Sequence, residues 1–215
     1  MPETPDNPEL EGGRDPSKDT AAPPRRAARR LHLPPLVTAA AAANLGALAS
    51  LAAAPARWPV AATVMAGTHL LLGAAGLFPR NGLLGPNLTR IAAAEGGEVF
   101  LTFDDGPDPE VTPVVLELLR QAEARASFFL IGERARAHPD LVREIVRRGH
   151  RVENHTLRHP YSFATYGPWR IAREIDSAQE ILGDLAGRAP LYFRPPAGIR
   201  SPLLEPVLAR RGLHL

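Results

Sequence analysis

Thr102-Phe103-Asp104-Asp105-Gly106-Pro107 sets two adjacent carboxylates at the end of an apolar run. His155-Thr156-Leu157-Arg158-His159, about fifty residues later, sets two histidines four positions apart. One Asp plus two His is a ligand set that suits zinc or a similar divalent ion with coordination positions left open. The other Asp of the pair is then free to act as a base on a metal-bound water. That is the chemistry of metal-assisted hydrolysis. Taken singly, Asp-Asp-Gly-Pro has a plain explanation as turn chemistry, a bare H-x-x-x-H as surface or capping histidines, and Arg194 as a structural ion-pair partner. Their meaning depends on whether the fold brings them together.

The elements that must do so read as an alternation of strands and helices. Val99 to Phe103 reads as a buried-type strand, Thr112 to Ala122 as a helix, Ala126 to Ile131 as a second strand, and Pro139 to Arg148 as a helix closed by Gly149. His150 to Glu153 is a short third strand. Pro168 to Leu185 is a helix with Ile171, Ile175, Ala178 and Leu182 on one face. Leu191 to Phe193 is a fourth strand, 202–211 a helix, and Leu213 to Leu215 the start of a fifth strand. This order predicts parallel strands in an α/β architecture. Sites in such folds gather at the carboxyl ends of the strands. Asp104 and Asp105 end the first strand, Asn154 and His155 follow the third, and Arg194 ends the fourth, so three strand ends deliver polar groups to one rim. His138, His150 and His214 read as surface or helix-end groups, and Arg143, Arg147, Arg148 and Arg151 as a solvated face.

The 215 residues suffice for a tail plus one domain, and the formal net charge is +2. Residues 1–30 are rich in Pro, Gly and charge, cannot bury enough surface to offset their ordering entropy, and are expected to be disordered. Arg25, Arg26, Arg29 and Arg30 then precede two uncharged runs, 36–54 and 58–78, each long enough to span a bilayer. The alternative for these runs is a pair of buried helices in a soluble domain. The arginine cluster followed at once by apolar sequence points to a membrane anchor over 31–80, not to nucleic acid. The apolar region starts too far from Met1 for a secretory signal. The arginines favour a cytoplasmic N-terminus; two spans would return the chain to the cytoplasm, one would leave it outside, and a re-entrant hairpin is a third arrangement. Residues 81–97 read as a glycine-rich connector. Cysteine is absent, which excludes disulfides and thiolate ligands.

Three motifs in order carry a resemblance. They are T-F-D-D-G-P at Thr102 to Pro107, H-[ST]-x-x-H at His155 to His159, and R-x-P-x-G at Arg194 to Gly198. The chain resembles the polysaccharide deacetylase family with the NodB homology domain, carbohydrate esterase family 4, over 97–215. The membrane segment lies outside that stretch, although its two apolar runs also resemble the anchors of a membrane-bound bacterial branch, and the domain is assigned to 98–215. The resemblance implies a distorted (β/α) barrel, with Asp104 as general base. It implies that Asp105, His155 and His159 hold a divalent ion, usually Zn2+ with Co2+ or similar ions as substitutes. Arg194 would orient and tune Asp104 through a charge-assisted pair. Pro196, Ala197 and Gly198 would form the substrate and oxyanion loop, with a backbone N–H near Ala197 as donor. The implied partner is an acetylated amino-sugar polymer or glycan. Alternatives are a deacylase or deformylase of a lipid-linked sugar at the cytoplasmic membrane face, and an inactive carbohydrate-binding relative. The sequence does not give the oligomeric state.

Three features depart from the family pattern. Ala197 stands where an aromatic is common, and Glu153 where a small residue is common, which adds a charge near the site. The family's later motifs, among them the L-x-x-H that supplies the general acid, are not found before Leu215. The chain is therefore expected to be a C-terminally truncated domain, weak in metal binding and catalysis.

Overall fold

The computed structural model describes residues 33–78, 80–89 and 99–215. The tail expected over 1–30 and the later part of the expected connector lie outside the described residues.

Pro35–Ala53 (α1) and Trp58–Leu77 (α2) are helices joined by a tight 3-10 turn, Pro55–Arg57. Each carries a proline in its first two positions, where the missing N–H has no intrahelical partner to lose. The Thr68 hydroxyl donates to Asn44 Oδ1 at 3.0 Å, a polar tie between two otherwise apolar helices. Both helices are long and apolar enough to cross a membrane by length and composition, yet only 6% and 17% of their apolar windows are buried. Leu45, Trp58, Leu70 and Leu77 point outward. Among the described residues neither helix is buried as the core helix of a domain would be.

From residue 99 onward the chain alternates as the sequence predicts. The elements are Leu101–Gly106 (β1), Val111–Gln121 (α3), Ala126–Leu130 (β2), Gly132–Ala137 (α4), Pro139–Arg147 (α5), Arg151–Asn154 (β3), Pro168–Ala186 (α6) and Leu204–Ala209 (α7). The sheet is parallel with order β1-β2-β3, aligning Phe103 with Phe128 and Phe128 with Val152. One core cluster packs Leu116 and Leu119 of α3, Val142 and Ile145 of α5, Phe128 and Val152 of the sheet, and Ala178 and Leu182 of α6. A second gathers Ile171 and Ile175 of α6 with Phe163, Phe193, Leu204, Leu208 and Leu213. The expected stripe of α6 is thus split, its first half in one cluster and its second half in the other.

Four local expectations are corrected. The stretch 99–103 was expected as a buried strand, but β1 lies at the sheet edge with Val99 81% and Phe100 56% exposed, and only Phe103 packs against the core. The fourth and fifth strands contribute isolated parallel bridges, Asn154 to Phe193 and Tyr192 to His214, rather than full strands. Pro190 and Pro195 bracket Leu191–Arg194 and limit the ladder there, since neither has an N–H to give. Helix α4 was not expected: Glu133-Arg134-Ala135-Arg136 has no apolar period, and only Gly132 and Ala135 are buried. His150 is buried rather than a surface group, at 7% exposure, and its Nδ1 accepts the Ala126 N–H at 3.3 Å.

Burial, with Arg125 and Arg148 nearby, pushes the His150 pKa below its ordinary 6.5. The unfolded chain takes up a proton at this residue near that pH, while the folded ring refuses it. Its contribution is intact above the ordinary value and is lost as pH falls toward the depressed folded one. Lowering pH from about 7.5 to about 5.5 is expected to reduce the thermal midpoint less in His150→Gln than in the parent chain. His155 shifts in the same direction and stays in both chains, so the difference isolates His150. Equal losses in the two chains would contradict this.

Candidate metal centre

In a regular strand, adjacent side chains face opposite sides, so Asp104 and Asp105 would be held apart. The register between β1 and β2 jumps between Asp104 and Gly106, and Asp105 adopts φ 66. This bulge breaks the alternation at the one position where both carboxylates must reach the rim. Asp tolerates the left-handed region better than most residues. Arg134 of α4 holds the Asp105 carbonyl with an N–H at 2.6 Å.

The histidine loop is anchored from several sides. Asn154, fully buried at the end of β3, accepts the Thr156 N–H through Oδ1 at 2.9 Å. Its amide donates to Ile175 O and Gln179 Oε1 on α6. The first N–H groups of α4 bond Thr156 O and Leu157 O at 3.0 and 2.9 Å, so α4 caps itself on this loop. Glu174 accepts the Arg158 N–H, and the Thr156 hydroxyl accepts the His159 N–H. Thr156 and His159 sit at φ 71 and 55, and Ala197 at φ 54. Four of the five described non-glycine residues at positive φ, counting Asp105, therefore stand at this rim. Each such residue costs about 1–3 kcal/mol and persists only where its surroundings over-determine it.

This framework brings Asp105, His155 and His159 together. Asp105 Oδ1 lies 3.3 Å from each Nε2, and one ligand atom from each residue falls within 4.8 Å of the others. His155 Nδ1 lies 2.7 Å from Arg194 O. A carbonyl can only accept, so Nδ1 carries the proton and Nε2 presents its lone pair to the cluster. Burial pushes the His155 pKa down, against the opposing pull of that hydrogen bond and of Asp104 and Asp105, and so favours the neutral ring. Beside the cluster, Arg194 donates to Asp104 Oδ1 at 2.5 Å and to the Thr102 hydroxyl at 3.1 Å, with its guanidinium 4.1 Å over the Phe129 ring. The Pro196–Gly198 turn follows, with Pro195 and Pro196 buried and Ala197 exposed. Tyr161, 89% exposed, stands edge-on to His159 at the mouth.

The sequence model of the family described as polysaccharide deacetylase matches residues 92–215, more than half of the chain. The chain belongs to the polysaccharide deacetylase family. A peptidoglycan-N-acetylglucosamine deacetylase from Bacillus cereus is 46% identical over 101 residues, which is 47% of this chain and 36% of that protein. A chitooligosaccharide deacetylase from Azorhizobium caulinodans is 40% identical over 117 residues, 54% of this chain and 55% of that one. The chain thus spans about half or less of these curated relatives' lengths. Among solved structures, a family 4 carbohydrate esterase from Streptomyces lividans in complex with acetate aligns with TM-score 0.52 and 39% identity, covering 55% of this chain and 60% of that one.

Sequence reasoning missed three supports: Arg134 and α4, which lie in no motif, and Glu174, one more charge on a helix face. It also misjudged Glu153. That carboxylate is not added charge at the rim: it is fully buried, and its Oε2 accepts the N–H groups of Leu191 and Tyr192 at 2.8 Å, tying the 191–193 segment to β3. Burial raises its pKa, against the pull of those two N–H groups and of Arg188 and Arg151.

Proposed function

We propose that this chain is a metal-dependent deacetylase that hydrolyses the N-acetyl group of an amino-sugar polymer or glycan. The observation that carries this reading is the three-residue cluster of Asp105, His155 and His159 beside an Asp104 paired with Arg194. The donors fit a divalent ion: one carboxylate and two imidazoles, with His155 oriented through its other nitrogen, leave a coordination position open. Zn2+ suits this set best and Co2+ is a compatible substitute. Bound there, the ion would polarise the amide carbonyl and acidify a water molecule.

The chain's own residues would do the rest. Arg194 orients Asp104 by a charge-assisted hydrogen bond. Asp104 takes a proton from the water whose oxygen attacks the acetyl carbon. In the substrate loop Pro196 has no N–H, and the Gly198 N–H is committed to Pro195 O at 3.1 Å. The Ala197 N–H is therefore the donor offered to the developing oxyanion. The C–N bond then breaks, the proton gained by Asp104 balances the one the departing amine takes up, and acetate is released. The parallel sheet fits part of a distorted NodB-type (β/α) barrel over 98–215, joined through 81–97 to a membrane anchor over 31–80.

A specific observation favours a second substrate within this chemistry. Helices α1 and α2 form a hairpin, so two spans would leave the N-terminus and the catalytic domain on one side. The arginines at 25–30 would make that side cytoplasmic. The substrate would then be a lipid-linked sugar at the cytoplasmic face. Acid release from an N-acetylglucosamine oligomer, compared with a lipid-linked N-acylated sugar, tests both readings. Metal-dependent release of the acid from either substrate, slow as the sequence predicts for this chain, is the expected result, and the faster one identifies the class. No release from either by the Zn2+-loaded chain would overturn the deacetylase reading and favour an inactive sugar-binding relative.

A further inference from the structure

The second apolar helix is fastened to the catalytic domain at its end, and the chain enters the first beside the same domain. At the end of α2, the Arg200 N–H bonds Gly76 O at 3.1 Å. Arg200 is 3% exposed, and its guanidinium donates to Asn81 O, Leu84 O and Gly85 O at 2.9, 2.8 and 3.1 Å. The contact leaves no room for a side chain on the helix: a Cβ on Gly76 would sit 2.4 Å from Arg200 O. At the start of α1, Leu33 lines one groove with Trp169, Leu203, Pro206 and Val207.

That groove is flanked by large apolar groups facing outward: Trp169 at 88% exposure, Leu33 at 52% and Leu203 at 41%. Arg210 lines the groove and Arg173 is exposed one turn along α6 from Trp169, while the one acidic group in the lining, Asp176, is paired with Arg211. Aromatic and aliphatic side chains mixed with arginine are the composition of a surface that sits at lipid headgroups. The position agrees, because Leu33 and Gly76 mark where the two helices meet the domain.

We propose that the face formed by the first turn of α6 and the start of α7 rests on the bilayer, with Trp169 and Leu203 at the headgroup level and Arg173 and Arg210 toward anionic lipid phosphates. This rests on the reading of α1 and α2 as membrane spans. Leu203 is a few residues beyond Gly198 in the segment that Arg200 clamps, so the substrate loop is held beside the lipid surface. The substrate within reach is one lying at the membrane.

The chain has two tryptophans, Trp58 and Trp169. In a Trp58→Phe chain reconstituted into vesicles of phosphatidylglycerol and phosphatidylethanolamine, Trp169 alone reports. The expected result is blue-shifted emission, strong quenching by lipids brominated near the headgroup, and weak quenching by acrylamide. Acrylamide quenching as strong as for free tryptophan, in a chain that resists alkaline extraction, overturns the lipid-contact face while leaving the anchor intact. Protection from both quenchers also overturns it, because the groove is then covered by protein, either residues 1–32 or another copy. Release of the chain by alkaline extraction overturns the anchor and this proposal together. A Trp58→Tyr chain repeats the measurement if the phenylalanine variant does not reconstitute.

Discussion

Asp104→Asn is expected to lower acetate release by about 10²- to 10⁴-fold, the span typical of a positioned general base, while ion binding is retained. The asparagine keeps the size of the side chain and an oxygen to accept from Arg194, which lies 2.5 Å from the present carboxylate. It cannot take a proton from water. The separation of base from ligands follows from the geometry: Asp105, not Asp104, is the carboxylate within 3.3 Å of both His155 and His159. Comparing turnover and bound ion in the two chains checks both halves. Unchanged turnover would remove Asp104 from the mechanism, and lost ion would make it a ligand.

Asp105→Asn is expected to weaken divalent-ion affinity by about 100-fold or more, since even partners behind the ligands cost 10- to 100-fold. Asparagine is the informative choice. Position 105 sits at φ 66 inside a bulge, where Asn and Asp are tolerated and alanine is strained. The substitution removes the ligand's charge without forcing the bulge to rearrange. His155→Ala would also remove the ion but would leave Arg194 O without its buried partner, mixing a folding cost with a binding one. Calorimetric titration of Zn2+, with the thermal midpoint of the ion-free chain as a folding control, reads the effect. Equal affinity in parent and variant would show that the ion binds elsewhere.

The alternation of strands and helices was legible because apolar periodicity is a local signal. The stripe Ile171, Ile175, Ala178 and Leu182 is fully buried as its spacing implied. The meeting of the first, third and fourth strand ends was legible too, because parallel α/β topology sends all carboxyl ends to one side. What was not legible depends on tertiary partners. The bulge at Asp105 is a register difference between two strands, which no single segment encodes. Helix α4 owes its place to carbonyls of the histidine loop and to its packing on α6, where a Cβ on Gly132 would lie 3.2 Å from the Ala178 backbone. Glu153 reads as a charge added near the site until the N–H groups of Leu191 and Tyr192 are known to point at it. Arg200 belongs to no motif, and its carbonyl partners lie more than a hundred positions earlier.

The most direct test of the whole reading is to strip the chain of metal with a chelator and add Zn2+ back in steps, recording bound ion and acetate release together. Release should be absent at the start and rise in proportion to occupancy, reaching its plateau at one ion per chain. Acetate release by the stripped chain, or a filled site with no release from any N-acetylated or lipid-linked amino sugar, would contradict it.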